Sequence, residues 1–310
     1  MENKIYVASN KNPDLDGYAC AFGYAELLNK IGKISEHILT GRVDDETMFI
    51  LDMIKQKPIY EVDENIKIEK LILVDTSNLR FLNLSVDPKN LIEIIDHRTV
   101  NDSSDYPWAK IQIELVGSCA TLITEKFQEA GVEPSRESAY LLYGAIVSNT
   151  INFKNKVTVQ RDLDAAKYLI DKIEIDSDFA EKMFRARTNI DGENLSRYIH
   201  NDFAEHSILG RNMTVFQMEI VGTDDLIANR LDEIKSIIQD VIKGQKLDYC
   251  FLNIIDTLEA KNYILAADSD TEKILSKILN LNFVDKLAKT DYIIMRKEIM
   301  AKIKDYLSNE

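Results

Sequence analysis

The chain has 310 residues, 45% of them hydrophobic and 29% charged, with a formal net charge of −14. Such a composition suits a well-cored globular protein of two domains, and the acidic balance argues against long polynucleotides as partners. No apolar run approaches the roughly 18 residues needed to span a bilayer, and Met1-Glu2-Asn3-Lys4 leads into a strand pattern without a signal-peptide layout, so a cytoplasmic protein with no membrane partner is expected.

In chain order, the apolar run Ile5-Tyr6-Val7-Ala8 predicts a first strand, and Asn12-Pro13-Asp14-Leu15-Asp16-Gly17 follows it. A helix is expected over 17–30, a strand over 34–39 and a helix over 44–55. Leu71-Ile72-Leu73-Val74 predicts a buried strand ended by Asp75, and Leu91-Ile92-Glu93-Ile94-Ile95 another, followed by Asp96-His97-Arg98. A strand over 111–114 precedes helices over 118–130, 136–148 and 162–173, with Gly131 just past the end of the first. Strands alternating with helices over this length predict an α/β fold: a mainly parallel sheet with helices on both faces. The polar, turn-rich stretch 188–194 is read as a linker between a first domain, 1–187, and a smaller C-terminal α/β domain, 195–310. In the second, strands are expected over 213–220, 249–255 and 263–267, a helix over 224–243, and a last strand ending near Arg296. Cys20, Cys119 and Cys250 have neither metal nor disulfide spacing and lie in apolar stretches, as reduced core thiols do.

Three successive strand signals therefore stop on hard oxygen or imidazole donors. In an open parallel sheet the carboxyl ends of the strands are where ligands bind, and carboxylates with one imidazole suit Mn²⁺, Mg²⁺ or Co²⁺ and phosphate chemistry. If 14–16 is extended, Asp14 and Asp16 point to one side and share a pocket. Either one serves equally well as the N-cap of the helix that follows.

The order and spacing of Asn12-Pro13-Asp14-Leu15-Asp16, Asp75 and Asp96-His97 resemble the DHH phosphoesterase superfamily, above all its family II manganese-dependent inorganic pyrophosphatases and the related exopolyphosphatase and prune-type proteins. Three further stretches resemble segments of those proteins: Glu114-Leu115-Val116-Gly117-Ser118, Ser148-Asn149-Thr150 and Met295-Arg296-Lys297. The resemblance implies two divalent cations between two domains, and hydrolysis of a phosphoanhydride, pyrophosphate or short polyphosphate, by a metal-bound hydroxide. It implies Asp75 as the bridging ligand, Asn10 and Asp14 at one cation, and Asp16, His97 and Asn149 at the other, with Asp96 orienting them from behind. Asp75, His97 and Arg98 would act in catalysis, and Arg98, Arg296 and Lys297 would bind the phosphate oxygens of a small substrate. Manganese is the expected cofactor, with Mg²⁺ or Co²⁺ as alternatives, and a homodimer is left open.

Four positions depart from the pyrophosphatase pattern. Asn10 and Arg98 stand where it has histidines, Asn149 where it has a ligand aspartate, and Ala204 where it has a substrate lysine, with His206 and Arg211 nearby as replacements. Asparagine ligates a cation without neutralising it, so weaker binding is expected at the site of Asp16 and His97, and a shift toward Mg²⁺ at the other. Two alternatives follow from these departures: a prune-like phosphoesterase of another small phosphorylated molecule, or a catalytically weak binding protein that keeps the fold. The absence of any Gly-Gly pair speaks against the nuclease relatives.

Overall fold

The computed structural model describes residues 4–58, 62–63, 66–98, 101–188, 190, 192 and 194–309. The chain divides into two compact units, Met1–Ala186 and Arg187–Glu310.

In the first unit, strand β1 (Ile5–Ala8) leads through a loop to helix α1 (Leu15–Lys30), then to β2 (Ser35–His37) and α2 (Asp45–Met53). Strands β3 (Leu71–Val74), β4 (Leu91–Asp96) and β5 (Lys110–Ile113) complete a five-stranded, wholly parallel sheet in the order β2-β1-β3-β4-β5. Helices α3 (Cys119–Glu129), α4 (Arg136–Asn149), α5 (Gln160–Ile170) and α6 (Phe179–Arg187) follow, the last crossing into the second unit. β3 is buried over its whole length, as expected of a central parallel strand with no polar face. Leu71 and Leu73 pack on one side with Leu82, Leu91, Ile94 and Tyr106, where the 3₁₀ turn Leu79–Leu82 closes the face. On the other side α1 and α3 lie against β1, β3 and β4.

The second unit holds α7 (Asn194–Asn201), β6 (Phe203–Ile208), β7 (Arg211–Ile220), α8 (Thr223–Ile242), β8 (Tyr249–Asp256), β9 (Lys261–Ala266), α9 (Ser269–Leu279), β10 (Leu287–Lys289) and α10 (Arg296–Ser308). Its sheet has the order β10-β9-β8-β7-β6, antiparallel except for the β7–β8 pair. One face packs Phe216, Met218 and Leu252 against α7 and α8; the other packs Met213, Val215 and Phe251 against α9 and α10.

Three expectations need correcting. The last strand ends at Lys289, and Arg296 opens a helix: the apolar pair Ile293-Ile294 belongs to an irregular segment anchored by side-chain amides. The stretch 188–194 is not wholly a connector, since α7 begins at Asn194; Asn189, Asp191 and Glu193 lie outside the described residues. The segment 14–16 is not extended either. Helix α1 begins at Leu15, so the two carboxylates leave the backbone in different directions.

Candidate metal centre

The loop from β1 to α1 is shaped by its own polar atoms. Asn12 adopts φ 52°, in the left-handed region that Asn tolerates, and its side-chain carbonyl accepts the Arg42 N–H at 2.9 Å. Asp14 is the N-cap of α1, its carboxylate accepting the Gly17 N–H at 3.0 Å. Gly17 lies against the loop that leads into α1: a Cβ there would stand 2.4 Å from Ser9 Oγ. Asp16, in the first turn, is turned inward and only 1% exposed.

The buried Asp16 is satisfied mainly by the start of α3. Its Oδ1 accepts from Ser118 Oγ and the Ala120 N–H, both at 2.9 Å, and its Oδ2 from the Cys119 N–H at 2.8 Å. The N-terminus of a helix, with its unpaired N–H groups and positive end, is suited to hold such a charge. Asn149, the last residue of α4, adds Nδ2–H to Asp16 Oδ2 at 2.6 Å. Three left-handed residues follow, Ile151, Asn152 and Phe153 (φ 51°, 49° and 64°), a strained turn that ends α4 sharply. Gly117 lets the α3 N-terminus approach: a Cβ on it would meet Asp162 Oδ2 at 2.7 Å and Thr150 Cγ2 at 2.8 Å. Asp162 in turn accepts from the Gly117 N–H at 2.9 Å and Thr121 Oγ1 at 2.6 Å.

Asp75 sits one residue past β3 with φ 53°, held by its N–H to the Ile95 carbonyl at 2.8 Å. Outside glycine this conformation costs about 1 kcal/mol or more, and such strain is concentrated at working sites. His97 follows β4. Its Nδ1 donates to the Val116 carbonyl at 3.0 Å, and its main-chain N–H donates to Asp96 Oδ1 at 2.8 Å. The imidazole Nε2 therefore faces Asp75 Oδ1 at 3.4 Å and Asp16 Oδ2 at 3.8 Å, and in the neutral ring it presents its lone pair to them.

These three side chains, Asp16, Asp75 and His97, can place one donor atom each within 4.8 Å of one another. Asp75 Oδ1 is buried and has no hydrogen-bond partner among the described residues. A carboxylate oxygen and an imidazole lone pair pointing at one another call for a cation between them. A histidine anchored through its other nitrogen is the usual form of a metal ligand. The donor set fits a divalent cation of the Mn²⁺ or Mg²⁺ kind.

Without a cation, protons take up the charge. Burial and then the charge of Asp75 push Asp16 up to about 6. Burial would lower His97, but the close approach of Asp75 and the charges of Asp16 and Asp75 raise it to about 9. Burial likewise opposes the ionised form of Asp75, and the Arg98 guanidinium together with His97 overcomes it and holds that carboxyl below its ordinary value. Burial by the surrounding protein and the charges of Asp75 and Asp16 raise Asp14, against the Gly17 N–H that favours its ionised form. Burial raises Asp96, against the pull of Arg98.

The other expected residues are placed differently. Asn10 Oδ1 accepts the Ser9 hydroxyl at 3.0 Å and, with the capping Asp14, stays outside the converging group. Arg98 lies on Asp75, donating to its main-chain carbonyl and to Oδ2 at 3.2 Å, and also reaches Asp96 Oδ1 at 3.2 Å. In the second unit Arg296 pairs with Asp202 at 2.7 Å while its N–H donates to Gln217 Oε1 at 2.8 Å, and Lys297 is exposed. Ala204 and His206 share a face of β6 with Asp202, and burial and the charge of Arg296 lower the pKa of His206. Arg211 is tied to Asp248 at 3.1 Å beside the β6–β7 turn. It is paired with Ile208, four residues along the strand from Ala204, or about 13 Å, so His206 is the nearer replacement.

Sequence reasoning passed over the residues that position these groups. Asn262 Nδ2 donates to Asn253 Oδ1 at 2.6 Å and to the Ile294 carbonyl at 2.7 Å, and Asn253 reaches Gln217 Oε1 at 3.3 Å. This buried amide ladder fixes the approach to α10. Its signal was legible: Asn253 interrupts the apolar run of β8, where a polar side chain must find partners.

Residues 4–146 match the family described as DHH family, N-terminal domain. The N-terminal unit carries a DHH family domain. Over nearly its whole length the chain is similar to manganese-dependent inorganic pyrophosphatases. It is 27% identical to that of Bacillus subtilis over 298 residues, 95% of this chain and 96% of the relative. It is 28% identical over 303 residues to a probable manganese-dependent inorganic pyrophosphatase of Clostridium acetobutylicum, with 96% of each covered. Among solved structures, a Methanococcus jannaschii protein assigned to family II inorganic pyrophosphatases superposes with a TM-score of 0.71 at 23% identity, covering 99% of this chain and all of that one. A Bacteroides fragilis exopolyphosphatase-related protein gives 0.51 at 13%, covering 99% and 92%. Both show the fold alone: a domain with a parallel sheet, followed by a smaller mixed-sheet unit.

Proposed function

We propose that this chain is a manganese-dependent hydrolase of inorganic pyrophosphate or short polyphosphate. The observation that carries the reading is the orientation of His97. Its Nδ1 is fixed on the Val116 carbonyl and its Nε2 is turned toward Asp75 and Asp16, in a DHH domain whose full-length relatives bear that activity in their names. Asp16, Asp75 and His97 hold the cation, with Asp96 fixing the backbone beneath His97. When bound, Mn²⁺ would supply Lewis acidity and lower the pKa of water. In the overall hydrolysis the oxygen of a water adds to one phosphorus, the P–O–P bond breaks, and the bridging oxygen leaves with the second phosphate and takes up one of the water's protons, the other remaining on the new phosphate. Arg98 beside Asp75 stabilises charge on the phosphoryl oxygens. Arg296 and Lys297 bind the substrate's phosphates, and His206 faces the same side of β6 as the partner of Arg296. The three buried thiols fit a reducing cytoplasm.

A second reading has one observation in its favour. Asn149 occupies Asp16 with an N–H where a cation would draw on that oxygen. This supports slower turnover, or another small phosphorylated substrate. Phosphate release from pyrophosphate, tripolyphosphate and mononucleotides, each with Mn²⁺, Mg²⁺ and Co²⁺, decides between them. Pyrophosphate with Mn²⁺ is expected to be fastest. Preference for a mononucleotide supports the second reading, and no release above the metal-only control in any combination overturns both.

A further inference from the structure

A positive charge is already built into the centre, on the Arg98 guanidinium. Arg98 reaches both oxygens of Asp75, with Nη1 3.2 Å from Oδ1 and Nη2 3.2 Å from Oδ2, and it also donates to the main-chain carbonyl of the same residue. A guanidinium keeps its proton under all ordinary conditions, so this is a permanent charge. Toward Asp16 and His97 the arrangement is different: among the described residues Oδ1 has a charge contact with Arg98 but no hydrogen bond, and three donors converge there. No comparable group forms around Asn10 and Asp14 among the described residues. The Asn10 carbonyl oxygen is taken by the Ser9 hydroxyl, and Asp14 caps α1.

We propose that this chain binds one divalent cation, at Asp16, Asp75 and His97, and that the fixed positive charge of Arg98 on Asp75 keeps a second from binding beside it. The inference rests on reading the centre as a manganese site and sets its stoichiometry. A cation approaching Asp75 Oδ2 meets a guanidinium on the same oxygen and must either displace it or sit against a like charge. Asn149 works in the same direction. Its amide gives Asp16 a neutral partner, and turned over it would present an oxygen to the single cation without adding negative charge that could draw in a second.

The test is Mn²⁺ stoichiometry on the metal-stripped full chain, by calorimetric titration and native mass spectrometry, with electron paramagnetic resonance at saturation. One Mn²⁺ per chain is expected, with the six-line signal of an isolated ion. Two per chain with an exchange-coupled spectrum in the unmodified protein overturns the proposal and leaves the hydrolase reading standing. No binding at all overturns the metal reading as well, so the two failures are distinguishable. The double variant Asn10→His, Arg98→His is expected to take up a second Mn²⁺. If it is folded by circular dichroism and still binds one, Arg98 is not what excludes the second ion and that assignment falls. If the variant does not fold, the count on the unmodified chain decides alone.

Discussion

At the residue scale, Asn149 and His97 set what the centre does before any cation arrives. Asn149 donates to Asp16 at 2.6 Å. In Asn149→Asp that hydrogen bond is replaced by two carboxylates in contact, which costs the metal-free protein about 1–3 kcal/mol. The added charge strengthens Mn²⁺ binding by about tenfold or more, or ~1.4 kcal/mol. Thermal melts with and without Mn²⁺ should therefore move in opposite directions; an unchanged calorimetric affinity would mean that residue 149 does not reach the cation. His97 carries the pH dependence. Its pKa is raised to about 9, so at neutral pH the proton is on the imidazole, and Mn²⁺ must expel it to bind. Apparent affinity accordingly rises with pH, about tenfold per unit from pH 7, and levels near pH 9. Titrations in buffers of different ionisation enthalpy should report about one proton released at pH 7.5, and a flat profile would remove His97 from the ligand set. Asp75 and His97 were legible in the sequence because each follows a buried strand. Asp14 was legible only as one of two outcomes, since the same residue that could ligate also caps a helix.

At the scale of elements, the N-terminus of α3 is the part that shapes Asp16, and Gly117 is the residue that lets it approach. Adding a methyl there forces it against Asp162 and Thr150, and neither can retreat easily: Asp162 is held by the Gly117 N–H and Thr121, and Thr150 donates to the Ile146 carbonyl at 2.6 Å. Gly117→Ala is expected to cost about 1–3 kcal/mol in urea unfolding, in the manner of an overpacked core. It is also expected to weaken Mn²⁺ binding, because Ser118, Cys119 and Ala120 move off the Asp16 oxygens. Loss of stability with unchanged Mn²⁺ affinity would show that α3 supports the fold and not the ligand. Runs of apolar residues ended by Gly, Pro or Asp made the parallel strands and α3 to α5 readable. The elements that were missed have weaker patterns. β6 alternates faithfully, but its exposed face begins with Phe203 and its less exposed face carries Ala204 and His206, so hydrophobicity points the wrong way. The segment before α10 reads as a strand because Ile293 and Ile294 are both apolar; what fixes them is the amide ladder of Asn253 and Asn262, in which Asn253 shows locally as a polar break in β8 but its partner across the fold does not.

At the scale of the whole molecule, the net charge of −14 acts on cation and substrate in opposite senses. A field of that sign concentrates Mn²⁺ near the protein and repels pyrophosphate. The bound cation and the few fixed positive groups have to reverse it locally, which makes binding ordered: cation first, anion second. Hydrogen–deuterium exchange on the full chain can follow that order. Mn²⁺ alone should slow exchange in segments 72–76, 95–98 and 117–121, where the donors and their supports lie. Imidodiphosphate, a pyrophosphate analogue with a non-bridging-oxygen pattern like the substrate's, should protect little when added alone. With Mn²⁺ present it should slow segments 202–206 and 294–298, which carry His206, Arg296 and Lys297. Protection of those segments by the analogue without any cation would mean that the second unit binds phosphate by itself and that the cation is not needed to reverse the field. Protection confined to the first unit would remove Arg296 and Lys297 as substrate-binding residues. It would leave Arg98 as the cationic side chain assigned to the anion.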